Sequence, residues 1–225
     1  AIWARRLTIS TPFAFGENPT SPSPYGYFMG GHFAPAGPMS TVDRVDFSND
    51  TPIASPKGPL SIVKSYNYGA TGNQSYGYLG GGYDGSNPLS IVDRVDYSND
   101  SIFTSVRGPL FKIRYGMSAA GNNDYGWVTG GSPGPRSEVD RIDYSNDTTI
   151  ASPRGNTSVQ KYNRGGTGNQ SYGYFAGGNP GSVSTVDRID YSNDTSTSVT
   201  KGSMPVAKEK WSGAGNKDYG WFSGG

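Results

Sequence analysis

Twelve aspartates recur in sets of three: Asp43, Asp46 and Asp50, then 93/96/100, 140/143/147 and 187/190/194. Each set lies within eight residues, in the segments STVDRVDFSND, SIVDRVDYSND, SEVDRIDYSND and STVDRIDYSND. Hard carboxylate oxygens at such density could hold calcium, or two carboxylates could share acid and base duties in a hydrolysis. The spacing lacks the Asp-x-Asp-x-Asp-Gly form of a calcium loop, and strand alternation sends Asp43 and Asp46 to opposite faces. An arginine stands beside the first aspartate of every set (Arg44, Arg94, Arg141, Arg188), so the chain carries its own counter-charge. No metal is expected. The expected roles are an Asp-Arg bridge between neighbouring strands or repeats, and a turn at Asp50 and its equivalents.

Other chemistry is bounded by what the chain lacks. Cysteine is absent and His32 is the single histidine, which leaves no zinc cluster and no cysteine nucleophile. A Ser/His/Asp arrangement would depend on His32 alone, with no nucleophile elbow near it. Carboxylates repeated identically look architectural, since an enzyme site breaks such symmetry; neither catalysis nor a cofactor is expected. Lys plus Arg number 19 against 18 Asp plus Glu, too balanced for a field that would hold nucleic acid. No apolar run approaches the 18 or so residues of a membrane helix, so no membrane insertion is expected. Asn49, Asn99, Asn146 and Asn193, with Asn73, Asn156 and Asn169, fit the N-glycosylation acceptor pattern, and turn chemistry produces the same letters.

The elements that position these residues come from an internal repeat. YGYFMGG at 25 returns as YGYLGGG at 76, YGWVTGG at 125, YGYFAGG at 172 and YGWFSGG at 219. Basic-Gly pairs fall at 57, 107, 154 and 201, each followed seven residues on by a base (Lys64, Arg114, Lys161, Lys208), and Gly-Asn falls at 72, 121, 168 and 215. No helical stripe occurs; Gly, Pro, Ser and Asn interrupt everywhere, and 34 glycines beside 16 tyrosines, 9 phenylalanines and 4 tryptophans suit short strands with tight turns. Four strands per unit follow: the Tyr-Gly strand, the Val-Asp-Arg strand, a weaker TPIASPKG strand, and SIVKSYNYGAT. Each unit is the content of one antiparallel propeller blade.

The order of basic-Gly, strand, Gly-Asn turn and aromatic strand ending in Gly-Gly resembles the kelch repeat over residues 25–225, most closely in GSMPVAKEKWSGAGNKDYGWFSGG at 202–225. The tryptophan usual after the third kelch strand is replaced in that vicinity by Ile53, Phe103, Ile150 and Val199. DRIDYSNDT is similar to repeats of virion structural proteins of marine bacteriophages. The fold class expected is an all-β, kelch-like β-propeller of four-stranded antiparallel blades, one domain over 1–225. Its units lie near 25–75, 76–124, 125–171 and 172–218, and a fifth at 219–225 is completed by residues 1–24, which close the ring and hide sheet edges. The copper-dependent kelch-like oxidases need His and Cys ligands that this chain cannot supply.

The resemblance implies a non-catalytic structural or adhesion module of a virion or extracellular assembly, part of an oligomer, whose partners are other structural subunits or a cell-surface glycan. A secreted multivalent lectin and a symmetry-broken propeller hydrolase stay open as alternatives. Recognition is expected in the loops after Gly-Gly, which differ in every copy: HFAPAGPM, YDGSNPL, SPGPR and NPGSV. The contact residues expected there are His32, Phe33, Tyr83, Asp84, Asn87, Arg136 and Asn179. Tyr66, Tyr68, Tyr83, Tyr115, Tyr162 and Trp211 could stack on a ligand or pack between blades.

Overall fold

The computed structural model describes residues 24–225, which are β throughout apart from two short 3-10 turns at Tyr144–Asn146 and Tyr191–Asn193. The first blade holds β1 (Tyr25–Met29), β4 (Val42–Asp46) and β5 (Ser55–Pro56), with a small hairpin of β2 (His32–Phe33) and β3 (Gly37–Pro38) on the loop between β1 and β4. The second runs β6 (Thr71–Gly72), β7 (Tyr76–Gly80), β8 (Val92–Asp96), β9 (Ser105–Arg107). The third runs β10 (Ser118–Gly121), β11 (Tyr125–Thr129), β12 (Arg136–Asp143), β13 (Ser152–Lys161), and the fourth β14 (Gly165–Gly168), β15 (Tyr172–Ala176), β16 (Val186–Asp190), β17 (Val199–Lys201). A last pair, β18 (Trp211–Gly215) and β19 (Gly220–Gly224), holds the place of the first two strands of a further blade. The expected completion of that blade rests on residues 1–23, which lie outside the described residues.

Sequence dictates one register in all four blades: Tyr25, Tyr76, Tyr125 and Tyr172 face Asp46, Asp96, Asp143 and Asp190 across antiparallel pairs. The sheets stand face to face in a propeller ring, with the innermost strands β6, β10, β14 and β18 packed in succession. A Cβ on Gly166 or Gly213 would overlap the backbone of the neighbouring inner strand, so glycine sets how near the blades approach the axis. The core is accordingly a series of layers between blades: Tyr78, Val92 and Leu110 of the second blade pack against Val128 and Ile142 of the third, and Trp127 and Val139 against Phe175 and Ile189 of the fourth. Both faces of a blade are covered, which is why Val92, Asp93 and Val95 are all buried although they alternate.

Two expected strands are shorter than the sequence suggests. SIVKSYNYGAT contributes only its last residue, Thr71, to β6, because Lys64 and Ser65 bond instead to loops of adjacent blades and Tyr66 takes a left-handed φ of 54° that ends any strand. TPIASPKG contributes only Ser55 and Pro56, and its prolines bring no N–H to the ladder.

In the second to fourth repeats the three aspartates have three different structural roles. Asp46, Asp96, Asp143 and Asp190 accept the backbone N–H and the hydroxyl of the serine two residues on (Asp46 from Ser48 at 2.9 and 2.6 Å), which forms the turn. Asp93, Asp140 and Asp187 are buried against Lys64 (2.8 Å), Arg114 and Arg164 (2.8 Å) from the segment that enters their own blade. Burial would raise the Asp93 carboxyl, but the Lys64 ammonium with donors from Thr104 and Ser61 holds it below the usual carboxylate range.

Asp100, Asp147 and Asp194, expected only to shape a turn, join one blade to the next. Asp147 Oδ2 accepts the Tyr78 hydroxyl at 2.8 Å and Arg94 at 2.7 Å, with Arg107 at 3.4 Å. Asp100 is held in the same way by Tyr27, Arg44 and Lys57, and Asp194 by the Trp127 indole, Arg141 and Arg154. Arg44 therefore pairs with the following blade and not with its neighbour Asp43, from which strand alternation turns it away. Each joint is completed by ring stacking: Tyr27 on Tyr97 at 4.8 Å, Tyr78 on Tyr144 at 4.7 Å, Trp127 on Tyr191 at 3.7 Å. The backbone N–H of Gly58, Gly108 and Gly155 donates to the carbonyl of the same aspartate, and the next chain segment passes so close that a Cβ there would strike a carbonyl.

Candidate binding face

The Gly-Gly pair after each Tyr-Gly strand turns the chain back across one end of the ring. Beyond it, Tyr83 exchanges backbone hydrogen bonds with Ser65, Ser132 with Tyr115, and Asn179 with Tyr162, so the loops lie against the segments leading to the inner strands. The next residues on those segments, Tyr66, Gly116, Asn163 and Lys210, all have φ between 54° and 68°. They are linked in series: Gly116 N–H to Tyr66 O at 2.6 Å, Asn163 N–H to Gly116 O at 2.6 Å, Lys210 N–H to Asn163 O at 2.8 Å. This backbone chain crosses successive blades and fixes what stands at the mouth of the ring.

Tyr66, nearly half exposed, is the hub of an aromatic cluster there. Its ring lies 6.3 Å from His32, 6.1 Å from Tyr83 and 5.9 Å from Tyr115, and Tyr83 and Tyr115 are 5.4 Å apart. Beside the hub, Asn67 is 2% exposed and neither atom of its amide has a hydrogen-bond partner. Burial, with Tyr66 and Glu209 nearby, pushes the Tyr68 hydroxyl up to about 12, so it stays a neutral donor. Glu209 in turn accepts from Asn179 and from Asn163 Nδ2 at 3.4 Å. Rings with amides and a carboxylate offer stacking surfaces and hydrogen-bonding groups to a polar, ring-shaped ligand.

Of the residues expected from sequence, His32 and Tyr83 join this cluster and Asn179 lies with Glu209. Phe33 is held opposite Gly37 in the β2–β3 hairpin. Asp84 is engaged within its own loop, accepting the N–H of Ser86 and Asn87 at 2.7 Å each, while the Asn87 side chain is exposed. Arg136 faces Glu138 at 3.5 Å. The loops are also less unlike than their letters: Ala34–Pro35, Ser132–Pro133 and Asn179–Pro180 are all cis, and only the Asp84 loop departs. Trp211 and Tyr68 are buried, Trp211 against Lys208.

Asn67, Asn163 and Glu209 were not among the expected contacts. Their signal is the triplet after the recurring base at Lys64, Arg114, Lys161 and Lys208, which reads Ser-Tyr-Asn, Tyr-Gly-Met, Tyr-Asn-Arg and Glu-Lys-Trp in the four copies. Among the described residues no three His, Asp or Glu side chains converge as metal ligands. Asn73 and Asn169 accept from the N–H groups of the residues two and three further on, the turn role that also explains their periodicity. Comparison with known protein families and with curated proteins finds no match for this chain.

Proposed function

We propose that the chain is a non-catalytic structural and adhesion module of a virion or extracellular assembly, as its likeness to kelch and phage structural repeats implies. The observation that carries the reading is on the outer rim. Three residues beyond Asp50, Asp100 and Asp147, Ile53, Phe103 and Ile150 are 95%, 71% and 53% exposed, and Val199 of the fourth blade is similarly bare. Ile102 and Val106 widen the patch on the second blade. Apolar side chains repeated at one height around a rim suit contact with neighbouring subunits. The test is analytical ultracentrifugation of the chain and of an Ile53→Glu, Phe103→Glu, Ile150→Glu variant. Concentration-dependent assembly of the first and its loss in the second, with unchanged unfolding temperature, is expected; a chain that stays monomeric at every concentration refutes the reading.

The aromatic cluster favours a second reading, a lectin. His32, Tyr66, Tyr83 and Tyr115 present ring faces beside the amides of Asn67 and Asn163, the surface a sugar ring needs. Glycan binding lost by at least tenfold on Tyr83→Ala or Tyr115→Ala, without loss of fold, supports it; binding that survives both substitutions removes it.

A further inference from the structure

At the mouth of the ring the copies of the repeat carry four different residues. Tyr66, Gly116, Asn163 and Lys210 hold equivalent places in the hydrogen-bonded series, with φ of 54°, 68°, 57° and 57°. Because Gly116 has no side chain, the Asn163 amide folds over it, with Oδ1 2.8 Å from the place a Gly116 Cβ would take. Asn163 Nδ2 donates to Glu209, which leaves Oδ1, on the Gly116 side, without a donor among the described residues. Next to this free acceptor stand the rings of Tyr66, Tyr83 and Tyr115, with centroids 6.1, 5.9 and 5.4 Å apart and planes tilted by 63°, 52° and 58°. Rings so close and so tilted meet edge to face and fill the space they enclose. They leave no parallel slot for a planar base and no box of ring faces for a quaternary ammonium. A ligand is therefore met by the outward side of the cluster, where Tyr66 is nearly half exposed.

We infer that the mouth holds a single subsite for a neutral hexopyranose, an assignment that rests on the lectin reading. The C–H face of the sugar lies on the outward tyrosine surface, and one of its hydroxyls donates to Asn163 Oδ1. Charge sets the class of sugar. Glu209 accepts from Asn179 and Asn163, and its one cation, Lys210 Nζ at 3.9 Å, is an exposed partner too loose to cancel the carboxylate. A sugar acid would bring a second anion to that edge, whereas hydroxyl donors find acceptors there. The departure from the repeat sets the number of sites. Among the described residues only one place in the series sets a glycine between a tyrosine and an amide, so the subsite occurs once, where pockets built by the repeat itself would recur in every blade.

The experiment titrates methyl β-galactoside, methyl β-glucoside, methyl α-mannoside and methyl β-glucuronide into the full chain and follows backbone amide shifts by NMR. Shift changes confined to one place, around Tyr66, Tyr115, Gly116 and Asn163, are expected with at least one neutral glycoside. The glucuronide should bind about fivefold more weakly, as like charges a few ångströms apart near solvent require, and Glu209→Gln should remove that difference. Asn163→Gly keeps the left-handed backbone and deletes the amide; it should weaken the neutral glycoside about tenfold, the worth of one hydrogen bond, at an unchanged unfolding temperature. Gly116→Asn, which tolerates the same backbone and displaces the Asn163 amide, should do likewise. Equivalent shift changes in several blades, a glucuronide as tight as the neutral sugars, or indifference to both substitutions overturns the inference and leaves the lectin reading standing on Tyr83→Ala and Tyr115→Ala. Absence of binding by every glycoside removes the lectin reading and the inference with it.

Discussion

Replacing Asp147 with alanine removes the carboxylate at the joint between the second and third blades. It takes with it the bond from the Tyr78 hydroxyl at 2.8 Å and the charge-assisted bond from Arg94 at 2.7 Å, and leaves Arg107 without the oxygen 3.4 Å away. Hydrogen bonds to a charged group contribute about 1.5–3 kcal/mol each. Leaving a fully buried charge unpaired costs about 3–5 kcal/mol. The two guanidinium groups are 17% and 20% exposed and recover part of their hydration, so the loss falls near the lower end, about 3 kcal/mol. With an m-value near 3 kcal/mol/M, the upper end for small proteins, the urea midpoint falls by about 1 M. Asp50→Ala is the internal control: the same Ser-Asn-Asp turn, exposed, with no partner among the described residues, and an expected change within about 0.5 kcal/mol. Asp147→Asn retains an acceptor for Tyr78 without the charge and falls between the two. If Asp147→Ala and Asp50→Ala shift the midpoint equally, the carboxylate does not hold the blades together.

Gly108→Ala places a methyl group against the Thr149 carbonyl of the next blade and should cost about 1–3 kcal/mol, while Gly202→Ala, whose methyl would meet nothing within 4 Å among the described residues, should be neutral or slightly stabilising; equal effects in thermal unfolding refute the packing account. Acidification should destabilise the fold: hydrogen bonds from Ser48, Ser98 and Ser192 hold Asp46, Asp96 and Asp190 low, Lys64 outweighs burial at Asp93, and Lys112 outweighs burial at Glu138 to bring it to about 2. Folded carboxyls below their unfolded values contribute stability that is complete above the unfolded range near pH 4 and is lost as pH falls towards 2. Asp43 and Asp140, which burial raises, give the opposite slope but are two against these five and Asp84, which backbone hydrogen bonds from Asn87 and Ser86 also hold low, so urea midpoints that rise on acidification would contradict the assignment. Met117→Ala, at a fully buried site between the second and third blades, should cost about 2–5 kcal/mol by equilibrium unfolding, and a loss below 1 kcal/mol would show that the layer between blades collapses to fill the space.

The architecture was legible because it rests on local signals. Tyr-Gly strands ending in Gly-Gly and Val-Asp-Arg strands ending in Ser-Asn-Asp give strand, turn and antiparallel neighbour within some 25 residues, and the blades follow. An Asp-Arg bridge between repeats was legible, but its partners were not, because they stand far apart: Arg44 from Asp100, Arg94 from Asp147, Arg141 from Asp194, each separated by more than fifty residues. Adjacency made Asp43 and Arg44 look like a pair, although alternation along a strand separates them. The inner strand was overextended for a similar reason, since the letters of SIVKSYNY alternate but Tyr66 adopts a left-handed backbone that the letters do not announce. At the binding face, His32 and Tyr83 stood out as loop residues with rings, whereas Asn67, Asn163 and Glu209 gain their place only from the hydrogen-bonded series Tyr66, Gly116, Asn163, Lys210.

Nearly identical blades raise a problem of register, because an apolar layer alone would accept any neighbour of the right volume. A joint that needs an aromatic donor, two cations and one carboxylate at fixed offsets accepts a blade only in the correct rotation and depth, at a small net gain in stability because desolvation offsets much of the attraction.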